Sequence, residues 1–383
     1  MLPIWNANSS RLTLTLFHPL LSLAPSSSNS KTFPTSPNVT TTTTTTTTMS
    51  SDPTTLSYLS HARYGKDKIR LLRVVRKGAW HHVVEYNVQV LLEGSISTSY
   101  TQADNSVVVA TDSMKNITYY LAKVSPHVLI PERFALHLGT HLVSKYAHID
   151  KAYVEIEQLR WSRIPVSDGD GKDGKEQVKE HPHSFWRDGE EKRVVEVEVD
   201  ASKGKDTLIA KVTSGLKDLL ILKSTGSAFT NFIRDEYTTL VEVDDRIFST
   251  SVDLSYTFNS FSISPPTDEK KLEFAIPESG PDSELPIGGV WDTEVPKRAR
   301  EVTLETFAKD DSASVQATLY KMAQKIIADN AGVQEVSYSL PNKHYVPVDM
   351  KYIGVDNMTP KEAEVFIPLA APSGLISATV RRK

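Results

Sequence analysis

Two histidines, His137 and His141, stand four residues apart in a stretch of helical character, the spacing at which two imidazoles share one helix face and can ligate a metal. Leu138 holds the position where a zinc hydrolase would carry its glutamate, so the pair reads as ordinary imidazoles. The clusters His81-His82 and His181-Pro182-His183 have no carboxylate or thiolate beside them at ligand spacing. The chain has no cysteine, which removes disulfides, thiolate metal sites, iron–sulfur clusters and a cysteine nucleophile together. No glycine-rich dinucleotide loop or P-loop occurs among its 17 glycines, so neither a nucleotide cofactor nor a metal is expected. What remains are polar runs beside apolar ones: Tyr64-Gly65-Lys66-Asp67, Val109 to Ser113, Asn231 to Tyr237, Ser312 to Thr318 and Ser339 to Tyr345. Taken singly, a lysine such as Lys66 is solvated surface, and a threonine before an aspartate, as at Thr111, is a helix cap.

A framework must hold these runs in place. With 383 residues the chain has room for two domains, and 39% hydrophobic with 23% charged residues is a globular composition, neither collagen-like nor wholly disordered. A formal charge of -4 gives no basic excess, so nucleic acid is not an expected partner, and no apolar run is long enough to span a bilayer. The first 48 residues stand apart: they lack Asp and Glu, are rich in Ser and Thr, and end in nine threonines, Thr40 to Thr48. Their apolar stretch, Leu12 to Ala24, is broken by His18 and Pro19. The segment is expected to be a targeting leader or to lie upstream of a start at Met49, and residues 1–57 read as an extension outside the fold.

From Lys68 the pattern is that of strands. Ile69 to Val75 and Val83 to Val90, split by Lys77-Gly78, read as a hairpin. Helices are expected around Ser113 to Lys123 and from Pro131, where Phe134, Leu138, Leu142 and Tyr146 recur at four-residue spacing. Strands return at Ala152 to Leu159 and Val195 to Val199, with Ser167 to Glu180 between them as a solvent loop. The second half repeats this order with strands Leu208 to Val212, Leu219 to Leu222 and Ile247 to Tyr256. Helices follow at Val302 to Phe307 and Ser314 to Asp329, the latter with Val315, Leu319, Met322 and Ile326 on one face, then strands Val336 to Leu340 and Leu375 to Val380. Residues 265–290 read as a surface insertion. The order ββααββ, twice, predicts an α+β protein of two units, 58–203 and 204–383, each an antiparallel sheet with two helices on one face.

Taken together and in order, several runs resemble the motifs of the urate oxidase family from about Ala62 to about Val380. They are Val109 to Ser113 followed by Lys115-Asn116, Leu222 to Thr225, Asp235 to Leu240, Ser314 to Thr318, and Ser339-Leu340-Pro341-Asn342-Lys343-His344. The resemblance implies tandem T-fold units, whose order is the same ββααββ, with sheets of two subunits closing into a barrel and barrels stacking into a homotetramer that carries its sites at subunit boundaries. It also implies oxidation of urate by dioxygen to 5-hydroxyisourate and hydrogen peroxide, with neither cofactor nor metal. The family's catalytic lysine falls on Lys66, its threonine partner on Thr111 and its relay histidine on His344. Substrate contacts fall on Thr111, Asp112, Phe229, Arg246, Val315, Gln316 and Asn342. In this assignment Arg246 and Gln316 grip the edge of a flat anion, Phe229 stacks on its face, and backbone amides near Asp112 and Val315 complete the edge. Asn342 faces dioxygen, peroxide or water.

Other readings fit less well. A zinc-dependent cyclohydrolase of the same fold uses a thiolate, which this chain lacks. A catalytically silent homologue would be expected to have lost Lys66, Thr111 or His344, and all three are present. The resemblance implies a peroxisomal protein, yet Arg381-Arg382-Lys383 stands where the family commonly ends in Ser-Lys-Leu, so a cytoplasmic location stays open. Because a threonine run and an acid-free Ser-rich segment supply no core, a chain begun at Met49 is expected to melt at the temperature of the full chain. A large fall in Tm of the shortened protein would contradict that.

Overall fold

Val84, Tyr86, Val88, Val90 and Leu92 alternate with Glu85, Asn87 and Gln89, and all five apolar residues are buried, so they form the inward face of one strand, β2 (Trp80–Gly94). The computed structural model describes residues 53–168, 177–273, 293–360, 362–369 and 371–383. The chain divides into two units, Met1–Ser57 and Tyr58–Lys383. In the first, one helical turn, α1 (Pro53–Leu56), is described, with the Ser57 hydroxyl donating to the Pro53 carbonyl. The second contains the sheet and the remaining helices.

Its first half runs β1 (Tyr64–Lys77), β2, the short α2 (Ser97–Thr101), α3 (Thr111–Val124), α4 (Pro131–Lys145), β3 (Ile149–Asp168) and β4 (Gln177–Asp200). The other half runs β5 (Leu208–Lys223), β6 (Phe248–Phe258), β7 (Phe261–Ile263), α5 (Val295–Lys309), α6 (Val315–Asp329), β8 (Val333–Pro347), β9 (Phe366–Leu369) and β10 (Leu375–Arg381). The expected ββααββ order is therefore present twice. Phe134, Leu138 and Leu142 on α4 and Val315, Leu319, Met322 and Ile326 on α6 are buried, as their spacing predicts. Tyr146 lies one position past the end of α4 as its C-cap.

Three expectations change. The two sheets are one: β4 pairs with β5, giving the antiparallel order β1-β2-β3-β4-β5-β6-β8-β10, with β7 on β5 and β9 on β8. Leu208 to Val212 and Leu219 to Leu222 are parts of a single strand, β5, whose alternation is interrupted by a bulge between Leu216 and Leu219. The two ends of the expected solvent loop Ser167 to Glu180 are strand, with Pro165 opposite Glu180 and Asp168 opposite Gln177; residues 169–176 lie outside the described residues. Aromatic stacking supports this extension, since the Arg163 guanidinium lies 4.0 Å from the Trp80 ring centroid and 4.9 Å from that of Phe185. The expected insertion 265–290 lies mostly outside the described residues as well; in its first part Asp268 caps the backbone amides of Leu272 and Glu273.

Backbone irregularities fix how the repeats superpose. A bulge interrupts β1 between Lys66 and Ile69, with Lys68 at φ 55, and the matching bulge in β5 has Asp218 at φ 61. Just before each bulge a glycine lies against the neighbouring strand. A Cβ on Gly65 would sit 1.8 Å from the Val90 carbonyl oxygen, and one on Gly215 would sit 1.9 Å from that of Leu254. At the far end, registers shift at Gly94 opposite Ile149 and at Phe258 opposite Val333. Lys66 therefore corresponds to Leu216, Val90 to Leu254 and Ile149 to Val333. From Ile149 and Val333, Ile156 corresponds to Leu340, and their partners on the last strands are Val195 and Ile376. The helices begin at matching positions too, so Thr111 corresponds to Val295 and Pro131-Glu132 to Val315-Gln316.

Because β4 and β5 share a ladder, the repeats should unfold together. Leu142→Ala in the first and Ile326→Ala in the second, both fully buried, should each cost about 2–5 kcal/mol and shift one common denaturant transition. Two separated transitions would mean that the repeats fold independently.

Candidate active site

The start of β1 places Lys66. The Val109 amide donates to the Tyr64 hydroxyl at 2.6 Å, tying β1 to the segment that leads into α3, and burial raises the pKa of that hydroxyl. Thr111 and Asp112 open α3, whose first amides have no acceptor within the helix and so present donors to an anion. The Asp112 carboxylate accepts from Lys115 at 2.5 Å and from Asn116 at 2.9 Å. Lys115 chiefly, and the Lys66 charge further off, hold it below the usual carboxylate range. Lys66 and Thr111 are half-buried, and Asp112 is exposed. The structure thus brings Lys66, Thr111 and Asp112 into one neighbourhood.

A second neighbourhood forms in the other repeat. Phe229 pairs with Val243 through two backbone hydrogen bonds of 2.8 and 3.1 Å. One bond runs from the Ala228 amide to the Ser312 carbonyl and another from the Ser312 amide to the Gly226 carbonyl, fastening this segment to the approach of α6. Ser314 caps α6 by accepting from the Ala317 amide at 3.1 Å, which leaves Val315 and Gln316 at its first two positions. Phe229 stacks on Phe232 with centroids 4.8 Å apart, and the Arg246 guanidinium lies 4.9 Å from the Phe229 ring centroid. Burial alone lowers the pKa of Arg246, and its Nε has no hydrogen-bond partner among the described residues. Phe229, Arg246, Val315 and Gln316 are therefore assembled, with Gln316 exposed at the helix start.

Asn342 and His344 lie on β8. Asn342 is opposite Thr250, its backbone amide donates to the Gly374 carbonyl at 2.8 Å, and its buried Oδ1 has no partner among the described residues. His344 is exposed opposite Leu369 of β9. An orphaned acceptor at Asn342 and an orphaned donor at Arg246 are costly unless a ligand supplies what is missing. Lys66, in contrast, is on β1 at one edge of the sheet, six strand spacings from β8, or roughly 29 Å measured along the sheet. In the strand order the two neighbourhoods lie toward opposite ends of the sheet.

Two carboxylates that the sequence did not point to hold the second neighbourhood. Asp245 accepts from the Thr225 hydroxyl, from the Gly226 amide at 2.7 Å and from the Ser227 amide at 3.4 Å; the Thr225 bond chiefly keeps its pKa low. Asp310 accepts from Lys321 and from the Thr318 hydroxyl, while its backbone carbonyl accepts from Lys223 at 2.5 Å. The only sequence signal was position: Asp245 directly precedes Arg246, and Asp310 closes the helix before Ser312. The histidine clusters have structural partners. His141 Nδ1 lies 3.0 Å from the Lys271 carbonyl, His137 Nδ1 lies 2.8 Å from the Ser125 hydroxyl, and His181 and His183 stack edge to face at 4.5 Å.

The family model described as Uricase matches residues 62–198 and 212–377, which covers both neighbourhoods. The uricase of Aspergillus flavus is 47% identical over 330 residues, 85% of this chain and 98% of that protein. The uricase of Schizosaccharomyces pombe is 42% identical over 85% of this chain and 99% of its own length. The crystal structure of uricase from Arthrobacter globiformis superposes with a TM-score of 0.66 at 31% identity, over 85% of this chain and 96% of that one. Matching both repeats in sequence and sharing the fold, this chain belongs to the uricase family.

Proposed function

We propose that this chain is a urate oxidase that works without cofactor or metal: urate, dioxygen and water give 5-hydroxyisourate and hydrogen peroxide, two electrons passing from the purine to dioxygen. The observation that carries this reading is Arg246. It is a half-buried cation beside the Phe229 ring, with an unpartnered Nε and no ion-pair partner among the described residues, so a flat anion laid on the ring receives its charge-assisted hydrogen bonds. Gln316 and the free amides at the starts of α3 and α6 match the alternating carbonyl and N–H groups of a purine trione edge. Lys66 and Thr111 take the urate proton and return protons to the reduced oxygen. Asn342 offers its amide to dioxygen, peroxide or water, and His344 belongs to the same relay.

For such a site to close, two chains must contribute. The edges β1 and β10 are unpaired among the described residues, and an antiparallel sheet with open edges templates pairing. The joint inside the chain supplies the register: Arg193 of β4 stands opposite Leu216 of β5, and Val195 opposite Ser214. Applying the repeat correspondence, β10 of one copy meets β1 of another with Gly374 opposite Lys66 of the partner subunit and Ile376 opposite Tyr64 of the partner subunit. That register puts Lys66 of the partner subunit on one row with Asn342, with Gly374 between them. Two chains joined at both edges make one barrel, and two such barrels make the homotetramer that the resemblance implies.

Three experiments test this reading. Lys66→Met should lower kcat by about 10²–10⁴, the usual worth of a positioned proton-transfer group, with little change in analogue binding, whereas Arg246→Ala should mainly raise KM, by about tenfold or more. Mixing the two impaired chains after dissociation should restore activity at low urate, up to about a quarter of wild type, if each site draws on two chains. No recovery would place the site within one chain. Turnover, followed as loss of urate absorbance with stoichiometric peroxide, should survive exhaustive chelation, because deprotonated urate itself supplies the electrons. Loss on chelation that one added metal reverses would sink the cofactor-free reading.

A further inference from the structure

Gly374 has no backbone reason to be glycine. Its φ is not positive, and a Cβ added there would meet only the Asn342 Nδ2, at 3.6 Å, an ordinary van der Waals contact. The fold accepts a side chain at this position, so its absence calls for another cause.

The repeat correspondence supplies one. Asn342 pairs with Gly374 as Gln158 pairs with Arg193, so Gly374 corresponds to Arg193. Inside the chain, Gln158, Arg193 and Leu216 stand in a row across β3, β4 and β5. The matching row across the proposed subunit boundary is Asn342, Gly374 and Lys66 of the partner subunit. Above the inner row, Glu132 at the start of α4 is fully buried and binds the Arg193 guanidinium, while the Ser214 hydroxyl donates to the same carboxylate at 2.5 Å. Above the outer row the corresponding residue is Gln316. The joint within the chain is therefore a second copy of the site with its cavity filled: a planar guanidinium occupies the space between strand row and helix start, held through its N–H groups by the residue corresponding to Gln316. Leu216, Val295 and Pro296 stand where the outer copy has Lys66, Thr111 and Asp112, so the inner copy also lacks the proton relay.

We infer that Gly374 is a specificity-determining position of the uricase site: the side chain missing there leaves open the volume that Arg193 fills in the inner copy, and the flat ring of urate occupies it. This rests on the shared-site reading above. Gly374→Leu should refill the cavity, lowering kcat/KM for urate and the affinity for xanthine, a purine dione used as a non-reacting probe, by more than tenfold, with Tm and assembly mass unchanged. Gly374→Ala, which the fold accommodates, should raise the KM for urate severalfold while keeping kcat. An assembled Leu variant that binds xanthine and turns over urate within twofold of wild type would overturn the inference. If the Leu variant does not assemble, an Ala variant with unchanged KM would overturn it equally. A wild-type protein that binds xanthine but leaves urate intact would instead refute the proposed oxidation, and the xanthine affinities of the variants would still decide the role of Gly374.

Discussion

The ladder between β4 and β5 is the constraint from which the rest of the architecture follows. By pairing Asp200 with Ile209 through to Lys192 with Lys217, it merges two four-stranded sheets into one and leaves the first and last strands as edges. Unpaired N–H and C=O groups on an exposed edge are satisfied by water or by another strand. The elements at these edges carry residues of the proposed site: Lys66 is on β1, and Gly374 leads into β10 beside Asn342. In the proposed assembly, covering the edges and completing that site are one event.

The two repeats share a backbone and differ in what it carries. Bulges after Gly65 and Gly215 are alike to the residue, and helices start at matching positions. At those positions the first repeat has Lys66, Thr111 and Asp112, and the second has Leu216, Val295 and Pro296. At the start of the second helix the roles reverse, with Glu132 buried in an ion pair and Gln316 exposed. A buried carboxylate needs a cation to remain ionised, so the inner joint is committed to structure. A neutral, exposed amide commits Gln316 to nothing inside the chain.

Much of this was legible in the sequence because it is periodic. The faces of α4 and α6 and the alternation of β2 follow directly from apolar spacing. The split of β5 into two strands came from Leu216-Lys217-Asp218, where a residue in the left-handed region offsets the alternation by one and hides its continuity. The reach of β3 to Asp168 and of β4 back to Gln177 was not signalled by composition, whereas Arg163 between Trp80 and Phe185 holds these strands together through contacts that are remote in sequence. The candidate roles of Lys66, Arg246 and His344 could be proposed from the family resemblance. Asp245 and Asp310 could not, because they act on backbone amides and hydroxyls of other segments.

Asp245 explains how a half-buried arginine is kept available. Asp245 is the nearest acid to Arg246 in the chain, and a direct ion pair would cancel the charge that an anionic ligand needs. Its carboxylate is instead saturated by the Thr225 hydroxyl and the Gly226 and Ser227 amides, which at the same time fix the path leading to Phe229. Asp310 is likewise occupied by Lys321 and Thr318 at the root of α6. With Asp245 engaged in this way, the Arg246 Nε has no partner among the described residues, and in the proposed function the free energy of meeting it is left for the ligand.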